Sequence, residues 1–380
     1  MSLLPCFRKI LEKIVEVKLQ NHLDNNNLLS DIQFGFRRGK STEHAIHSMV
    51  KDIHSSFDEN KICIGIFLDI KKAFDSLDRS ILLNKLRYYG ICDNELKWFE
   101  TYLANRKQFV TYNNCSSETR RVDFGVPQGG VVSPLLFLVY INDIVNCSNL
   151  IGCVLYADDT NLYLSSNKID DLYLRANHAL SNFKNWFDSN KLSLNADKTK
   201  YMIFHRKQRQ LPSCIHKLYL DNLEVEKVNY AKFLGVVLDP HLSWNCHIAN
   251  LSRKLSKYVP ILYRIRNLCT PRSLKLIYNC LIYSNLIYCN SVWGYCKSVA
   301  LNPLIVIHKK IVRALAGVGY NHHTTEIFND LSFLNIRKIN EYMVGIFTYK
   351  CLANEEFSTW FDYRTTNYVT RASEANPLTH

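Results

Sequence analysis

No stretch of the 380-residue sequence is long and apolar enough to cross a bilayer. The longest near-apolar run, Val131 to Ile141, contains Ser133 and Pro134, and a spanning helix needs about 20 residues. A secretory signal is missing too, because Arg8 and Lys9 interrupt the apolar start, which reads as amphipathic helix. A soluble, intracellular protein with no membrane partner is expected. The 13 cysteines contain no CxxC pair, which argues against a zinc ribbon or a thioredoxin-like site. Their odd number fits reduced thiols that fill apolar space. Glycine and proline are few, at 13 and 9, and there is neither a low-complexity tract nor a repeat of fixed period. What remains is an ordinary globular composition, 47% hydrophobic and 21% charged.

Acidic residues are missing where it matters most. Residues 241–320 hold 11 Lys and Arg and no Asp or Glu, within a chain of net charge +13. Such a stretch creates a positive field that attracts polyanions. Nucleic acid is the partner this predicts, and a solvated basic face is the alternative. We place a domain boundary near 240, giving regions 1–240 and 241–380.

Hydrophobic periodicity supplies the elements. Residues 3–23 form a helix with Leu4, Phe7, Leu11, Ile14 and Val15 on one face. A loop rich in glycine and basic residues, Gln33 to Thr42, leads into a helix over 42–57. Ile62 to Ile70 reads as a buried strand, 79–105 as helix, and Ser133-Pro134 as the first turn of a helix reaching about Ile144. Cys153 to Leu164 reads as a hairpin with Asp158 and Asp159 in its turn. A helix over 170–189 and a strand over 201–204 follow. Farther on, Ile248, Leu251, Leu255, Tyr258, Leu262, Ile265 and Leu268 make one apolar stripe that Pro260 kinks or divides.

Asp69 ends its strand 89 residues before the Asp158-Asp159 turn. Two divalent cations about 3.5–4 Å apart need acids converging on one spot, and Mg²⁺ prefers oxygen ligands. Taken alone, adjacent aspartates more often mark an exposed turn than a metal site. The surrounding motifs go further. Phe67-Leu-Asp-Ile-Lys-Lys-Ala-Phe-Asp75 resembles the first catalytic motif of reverse transcriptases. Gly125-Val-Pro-Gln-Gly-Gly-Val-Val-Ser-Pro-Leu-Leu-Phe137 resembles the glutamine loop and helix of the next. Tyr156-Ala-Asp-Asp159 matches the hallmark hairpin. Leu192-Ser-Leu-Asn-Ala-Asp-Lys-Thr-Lys200 and Phe233-Leu-Gly235 look like the two motifs that follow. The Gln33–Thr42 loop, Tyr140-Ile-Asn-Asp-Ile144 and the basic C-terminal part are similar to non-LTR retrotransposons of the jockey and CR1 type.

The resemblance implies an RNA-directed DNA polymerase. Its fold would be α+β, a right-hand polymerase with an antiparallel palm sheet, fingers, a helical thumb and a C-terminal extension. Family members carry an arginine-bearing segment just upstream of the region matched by Ser2–Pro5. With the chain starting at Met1, incomplete fingers and an N-terminally truncated element are expected. Asp69, Asp158 and Asp159 would bind two Mg²⁺, or Mn²⁺, with Asp69 and Asp158 the stronger ligands. The partners implied are an RNA template, a DNA primer or duplex and dNTP, and the implied place of action is the nucleus.

For other positions the resemblance competes with a plainer role. Phe74 is a steric gate against the ribose 2′-hydroxyl or a core phenylalanine. Gln128 contacts the nucleotide or template, or is a polar loop residue. Lys198 stands by the leaving pyrophosphate or is a surface lysine. Phe233, Leu234 and Gly235 are a primer grip or a strand entry. Arg37, Arg38 and Lys40 touch template phosphates or are solvated loop charges. Asp75, Asp78 and Asp143 read as structural. Two rival functions stay open: a catalytically inactive retroelement-derived nucleic-acid-binding protein, and an RNA-dependent RNA polymerase, against which a gate at Phe74 argues.

Overall fold

A computed structural model describes residues 5–147, 151–211, 216–358 and 360. The chain opens with α1 (Cys6–Asn25) and α2 (Thr42–Asp58). The expected apolar face of α1 is turned outward, with Phe7, Leu11 and Ile14 exposed and Glu12 buried. The reason is hydrogen bonding. Glu12 accepts from Arg8 Nε (2.8 Å), the Tyr102 hydroxyl (3.0 Å) and the Val131 N–H (2.6 Å), and a carboxylate so satisfied can be buried. Strand β1 (Ile62–Leu68) follows, then α3 (Arg79–Tyr88) and α4 (Asp93–Leu103). The single helix expected over 79–105 is thus broken, and Gly90 between the two helices has φ +86.

Next comes a narrow ribbon. In it β2 (Lys107–Gln108) pairs with β5 (Arg120–Arg121), and β3 (Thr111–Tyr112) pairs with β4 (Cys115–Ser116). Helix α5 (Ser133–Ile141), with proline in its first turn, runs into a 3-10 turn over 142–147. Strands β6 (Gly152–Tyr156) and β7 (Asp159–Ser166), helix α6 (Ile169–Ser189) and strand β8 (Lys200–Phe204) follow. Short strands β9 (Tyr219–Leu220), β10 (Leu223–Glu224) and β11 (Glu226–Lys227) lead to the hairpin of β12 (Ala231–Phe233) and β13 (Val236–Leu238). Helix α7 spans Asn245–Ser256.

Five of these strands form one sheet in the order β11-β8-β1-β7-β6. All pairings are antiparallel except that of the short edge strand β11 with β8. Central β1 is covered on both faces, which is why it reads as an unbroken apolar run. Ile62, Ile64, Ile66 and Leu68 share a core with Leu82 and Leu86 of α3, Leu136 and Val139 of α5, and Leu180 and Phe183 of α6. On the opposite face Gly65 leaves room for its neighbours. A Cβ there would lie 2.7 Å from the Phe204 ring and 3.3 Å from Met49 of α2.

Contacts divide the chain into two compact units. One comprises residues up to Lys257 with Cys296–Ile307, and the other Tyr258–Tyr295 with residues from His308 onward. Helices α8 (Tyr258–Ile265), α9 (Pro271–Tyr278), α10 (Ser284–Ile287) and α11 (Asn290–Trp293) lie in the second unit, and α12 (Ser298–Ala316) enters it at His308. Beyond come α13 (Thr324–Asp330), α14 (Ile336–Leu352) and α15 (Glu355–Ser358). Thr270 caps α9 through the Ser273 N–H, as the Thr-Pro pair predicts. The stripe expected over 248–268 is split, because α7 ends at Ser256 and Pro260 falls in the first turn of α8. At the core of this unit the Tyr278 hydroxyl meets His308 Nε2 at 2.9 Å, and the Tyr278 ring stacks on Phe333. No helix among the described residues is long and apolar enough to cross a membrane.

Candidate active site

The tightest turn in the sheet carries the paired aspartates. Tyr156 pairs with Asp159, leaving only Ala157 and Asp158 to reverse the chain. Ala157 adopts φ +56, a left-handed conformation that costs an L-residue about 1–2 kcal/mol. The loop before α2 holds it there. Gln33 forms a parallel bridge with Leu155, and its side-chain oxygen accepts from the Ala157 N–H at 3.0 Å and the Gly35 N–H at 2.8 Å. Both donors are backbone amides, which fixes the orientation of the carboxamide. Its Nε2 is buried without a partner among the described residues. Gly35 lies so close that a Cβ would sit 2.3 Å from the Ala157 nitrogen.

Asp69 arrives from β1. Leu68 pairs with Thr160, so one further antiparallel step sets Asp69 opposite Asp159. The segment after α6 secures Asp69 from the other side. The Asn195 N–H donates to the Asp69 carbonyl at 2.8 Å, its Nδ2 to Asp69 Oδ2 at 3.2 Å, and Lys198 Nζ stands 3.7 Å from the same oxygen.

Negative charge accumulates here. Partial desolvation, then the charges of Asp158 and Asp69, push the Asp159 carboxyl above its ordinary value. Among the described residues no three His, Cys, Asp or Glu side chains are grouped so as to hold an ion unaided. A hard cation such as Mg²⁺ takes one or two carboxylates and completes its shell with water and substrate phosphates. The donors are all carboxylate oxygens, as such an ion requires. Asp158 and Asp159 are exposed, so the acids lie on an open surface. A cavity of about 830 Å³ bounded by Ser30, Arg37, Lys85 and Asp143 contains none of them.

The segment after Asp69 brings Phe74 and its neighbour Asp75 against the Val126–Gln128 loop. The Val126 N–H donates to the Phe74 carbonyl at 3.0 Å, and Gln128 Nε2 donates to Asp75 Oδ2 at 2.8 Å. The Phe74 ring stacks on Phe137 with centroids 4.6 Å apart. Asp78, rather than Asp75, caps α3, and Asp143 pairs with Lys85 at 2.7 Å. Phe233 is buried in the separate β12–β13 hairpin, whose two-residue turn puts Leu234 at φ +43 and Gly235 at φ +84. The basic residues of the 33–42 loop differ in placement. Arg37 Nη1 donates to the Ser30 carbonyl at 3.1 Å. Lys40 is packed inward, donating to the Asp31 carbonyl at 2.7 Å and lying over the Phe34 ring. Arg38 is exposed.

The family described as reverse transcriptase (RNA-dependent DNA polymerase) matches residues 1–238. The chain belongs to the reverse transcriptase family. It is 26% identical over 348 residues to the Drosophila melanogaster protein named "Probable RNA-directed DNA polymerase from transposon X-element", covering 88% of this chain and 37% of that one. The RNA-directed DNA polymerase from mobile element jockey of Drosophila funebris is 26% identical over 341 residues, covering 87% of this chain and 37% of the relative. The chain therefore spans under two-fifths of the length of these relatives. Apo telomerase from Candida tropicalis superimposes with a TM-score of 0.45 at 12% identity, over 90% of this chain and 57% of its own. The jockey-like resemblance drawn from the motifs agrees with these reverse transcriptase relatives.

Two residues at the site were given no role from the sequence. Asn195 lies inside a recognised motif, but its grip on Asp69 crosses 126 positions. Gln33 opens a loop read for its cations, and its hold on Ala157 crosses 124. Neither separation leaves a local pattern.

Proposed function

We propose that the chain copies RNA into DNA, adding deoxynucleotides to a primer 3′-hydroxyl. The observation that carries this reading is the register setting Asp69 opposite Asp159 beside the Asp158 turn, within a reverse transcriptase domain. In this reading the five-stranded sheet is the palm. Helices α1 to α4 with the ribbon belong to the fingers. The basic helices of region 241–380 are a thumb and C-terminal extension that follows a duplex through its phosphates.

When bound, two Mg²⁺ or Mn²⁺ supply activation of the primer hydroxyl and neutralisation of triphosphate charge. Asp69 and Asp158 would supply the main ligand oxygens, with Asp159 beside them. Asn195 fixes the rotamer of Asp69. Lys198, 3.7 Å from Asp69 Oδ2, gives a proton to the leaving pyrophosphate in this reading. Phe74, braced by Phe137, bars the 2′-hydroxyl. Gln128 exchanges Asp75 for the incoming nucleotide or the template. Arg37 and Arg38 meet template phosphates while Lys40 stiffens their loop, and Phe233, Leu234 and Gly235 support the primer end. A genomic DNA primer would place the work in the nucleus.

Primer extension on an RNA template with Mg²⁺, run beside Asp158→Asn, tests the proposal. Extension that disappears with the substitution supports it. Strand binding with no extension in the unaltered chain would leave a binding protein instead.

A further inference from the structure

Glu12 is the one charged side chain of α1 that is buried, at 1% exposed. Its two oxygens serve different parts of the chain. Oε1 accepts from Arg8 Nε and from the Tyr102 hydroxyl, which ties it to α1 and α4. Oε2 accepts from the Val131 N–H at 2.6 Å, across 119 positions. A buried charge adds little to the stability of a helix. What it adds is direction, because a hydrogen bond to a carboxylate is roughly twice as strong as one between neutral groups. Here that bond is aimed at a single backbone amide.

The amide follows the glutamine loop. Gly125, Val126, Pro127 and Gly130 are buried, and Gln128 and Gly129 are exposed between them. The Gly130 N–H donates to the Pro127 carbonyl at 3.0 Å, and Gly129 has φ +90. This is a type II turn with Gln128 at its first corner. The direction in which a turn presents that corner is set by the chain on either side. On the near side, the Gly125 N–H donates to the Leu77 carbonyl at 2.8 Å and the Val126 N–H to the Phe74 carbonyl at 3.0 Å. That limb is therefore fixed to the segment leading from Asp69. On the far side the anchor is Glu12, and a Cβ on Gly130 would lie 3.1 Å from its Oε2. With the near anchor alone, the turn is free to swing about Val126.

We propose that Glu12 is a positioning residue for nucleotide binding: through the Val131 N–H it aims the turn that carries Gln128. It touches no substrate itself. The inference rests on the polymerase reading in one respect, that Gln128 meets the incoming nucleotide. A contact made equally before and during the reaction shows in KM and not in kcat.

The test is extension of a primer by one nucleotide at varied dNTP, with the full chain, an RNA template and Mg²⁺. Glu12→Gln keeps the size of the side chain, but an amide has one acceptor oxygen where the carboxylate has two. It should raise the KM for dNTP about 10-fold, with kcat within about 2-fold. Gln128→Ala should also raise KM. Adding Glu12→Gln to it should raise KM no further, because the turn then carries nothing to aim. Glu12→Asp keeps the charge beside Arg8 but withdraws it by about 1.5 Å, one bond length. It should repeat the effect, and it decides the matter if Glu12→Gln does not fold. Leu23→Ala opens the core under the same helix and should lower the melting temperature with KM unchanged. A fall in kcat at constant KM in the Glu12 variants, independent effects in the double variant, or a raised KM in Leu23→Ala would each overturn the proposal. Amide hydrogen exchange separates it from the polymerase reading. Glu12→Gln should speed exchange at residues 128–131 and leave Gly125 and Val126 protected. If exchange at 128–131 is unchanged, Glu12 does not hold the turn and the proposal fails even in an active enzyme. If exchange speeds up in a chain that extends no primer, the polymerase reading is what has failed.

Discussion

The side-chain oxygen of Gln33 and the backbone N–H of Ala157 are joined by a buried hydrogen bond of 3.0 Å, and through it a loop before the sheet holds the turn that carries Asp158. Removing an acceptor that serves two buried amides costs about 1–3 kcal/mol. Gln33→Ala should speed hydrogen exchange across 155–159 and slow primer extension. Glycine takes a positive φ without penalty, so adding Ala157→Gly should recover part of both losses. A double variant no better than Gln33→Ala would show that the backbone of Ala157 is not what Gln33 controls.

Asp159 should trade stability for function. Its raised carboxyl means that the folded state holds a proton the unfolded chain has released. Its contribution is therefore present below the unfolded value of about 4 and lost as pH rises through the folded one. Asp159→Asn abolishes that loss. Because the group is exposed, the gain is small, about 1–3 °C in melting temperature near pH 7, and it should vanish in acid. A variant that melts lower than wild type at pH 7 counts against charge crowding.

Asp78 has the opposite sign. Burial alone would raise its carboxyl, but Lys191 at 2.6 Å, Ser80 and the Ile81 N–H pull it well below its ordinary value. That stability is present above about pH 4 and fades as pH falls further. Losing the cap in Asp78→Ala should cost about 1–2 kcal/mol at neutral pH. In acid the two proteins should melt closer together, and a gap independent of pH would mean that the cap works without its charge.

Phe74→Ala separates a gate from a packing residue. Loss of the gate should raise ribonucleotide incorporation relative to deoxyribonucleotide by about 10-fold or more. A lower melting temperature with unchanged discrimination would reduce Phe74 to a partner of Phe137.

What the sequence made legible was local. The Tyr156–Asp159 hairpin, the strand before Asp69 and the Thr270 cap each rest on a few adjacent residues and lie where expected. The outward face of α1 was misjudged because apolar periodicity cannot see the three donors that bury Glu12. The 107–121 ribbon escaped because its strands are two residues long, too short for any period to register. Asn113-Asn114 was its one visible turn signal.

The position of β1 in the sheet also sets the order in which the protein can assemble. Both of its neighbours, β7 and β8, lie downstream in the chain. During synthesis an Ile-rich strand with two open edges must wait for about 140 further residues before its second partner is made. Contacts so distant in sequence form slowly, and an unpaired strand meanwhile invites pairing with other chains. A fragment that ends before β7 holds Asp69 without Asp158 and Asp159 opposite it, and leaves both edges of β1 open.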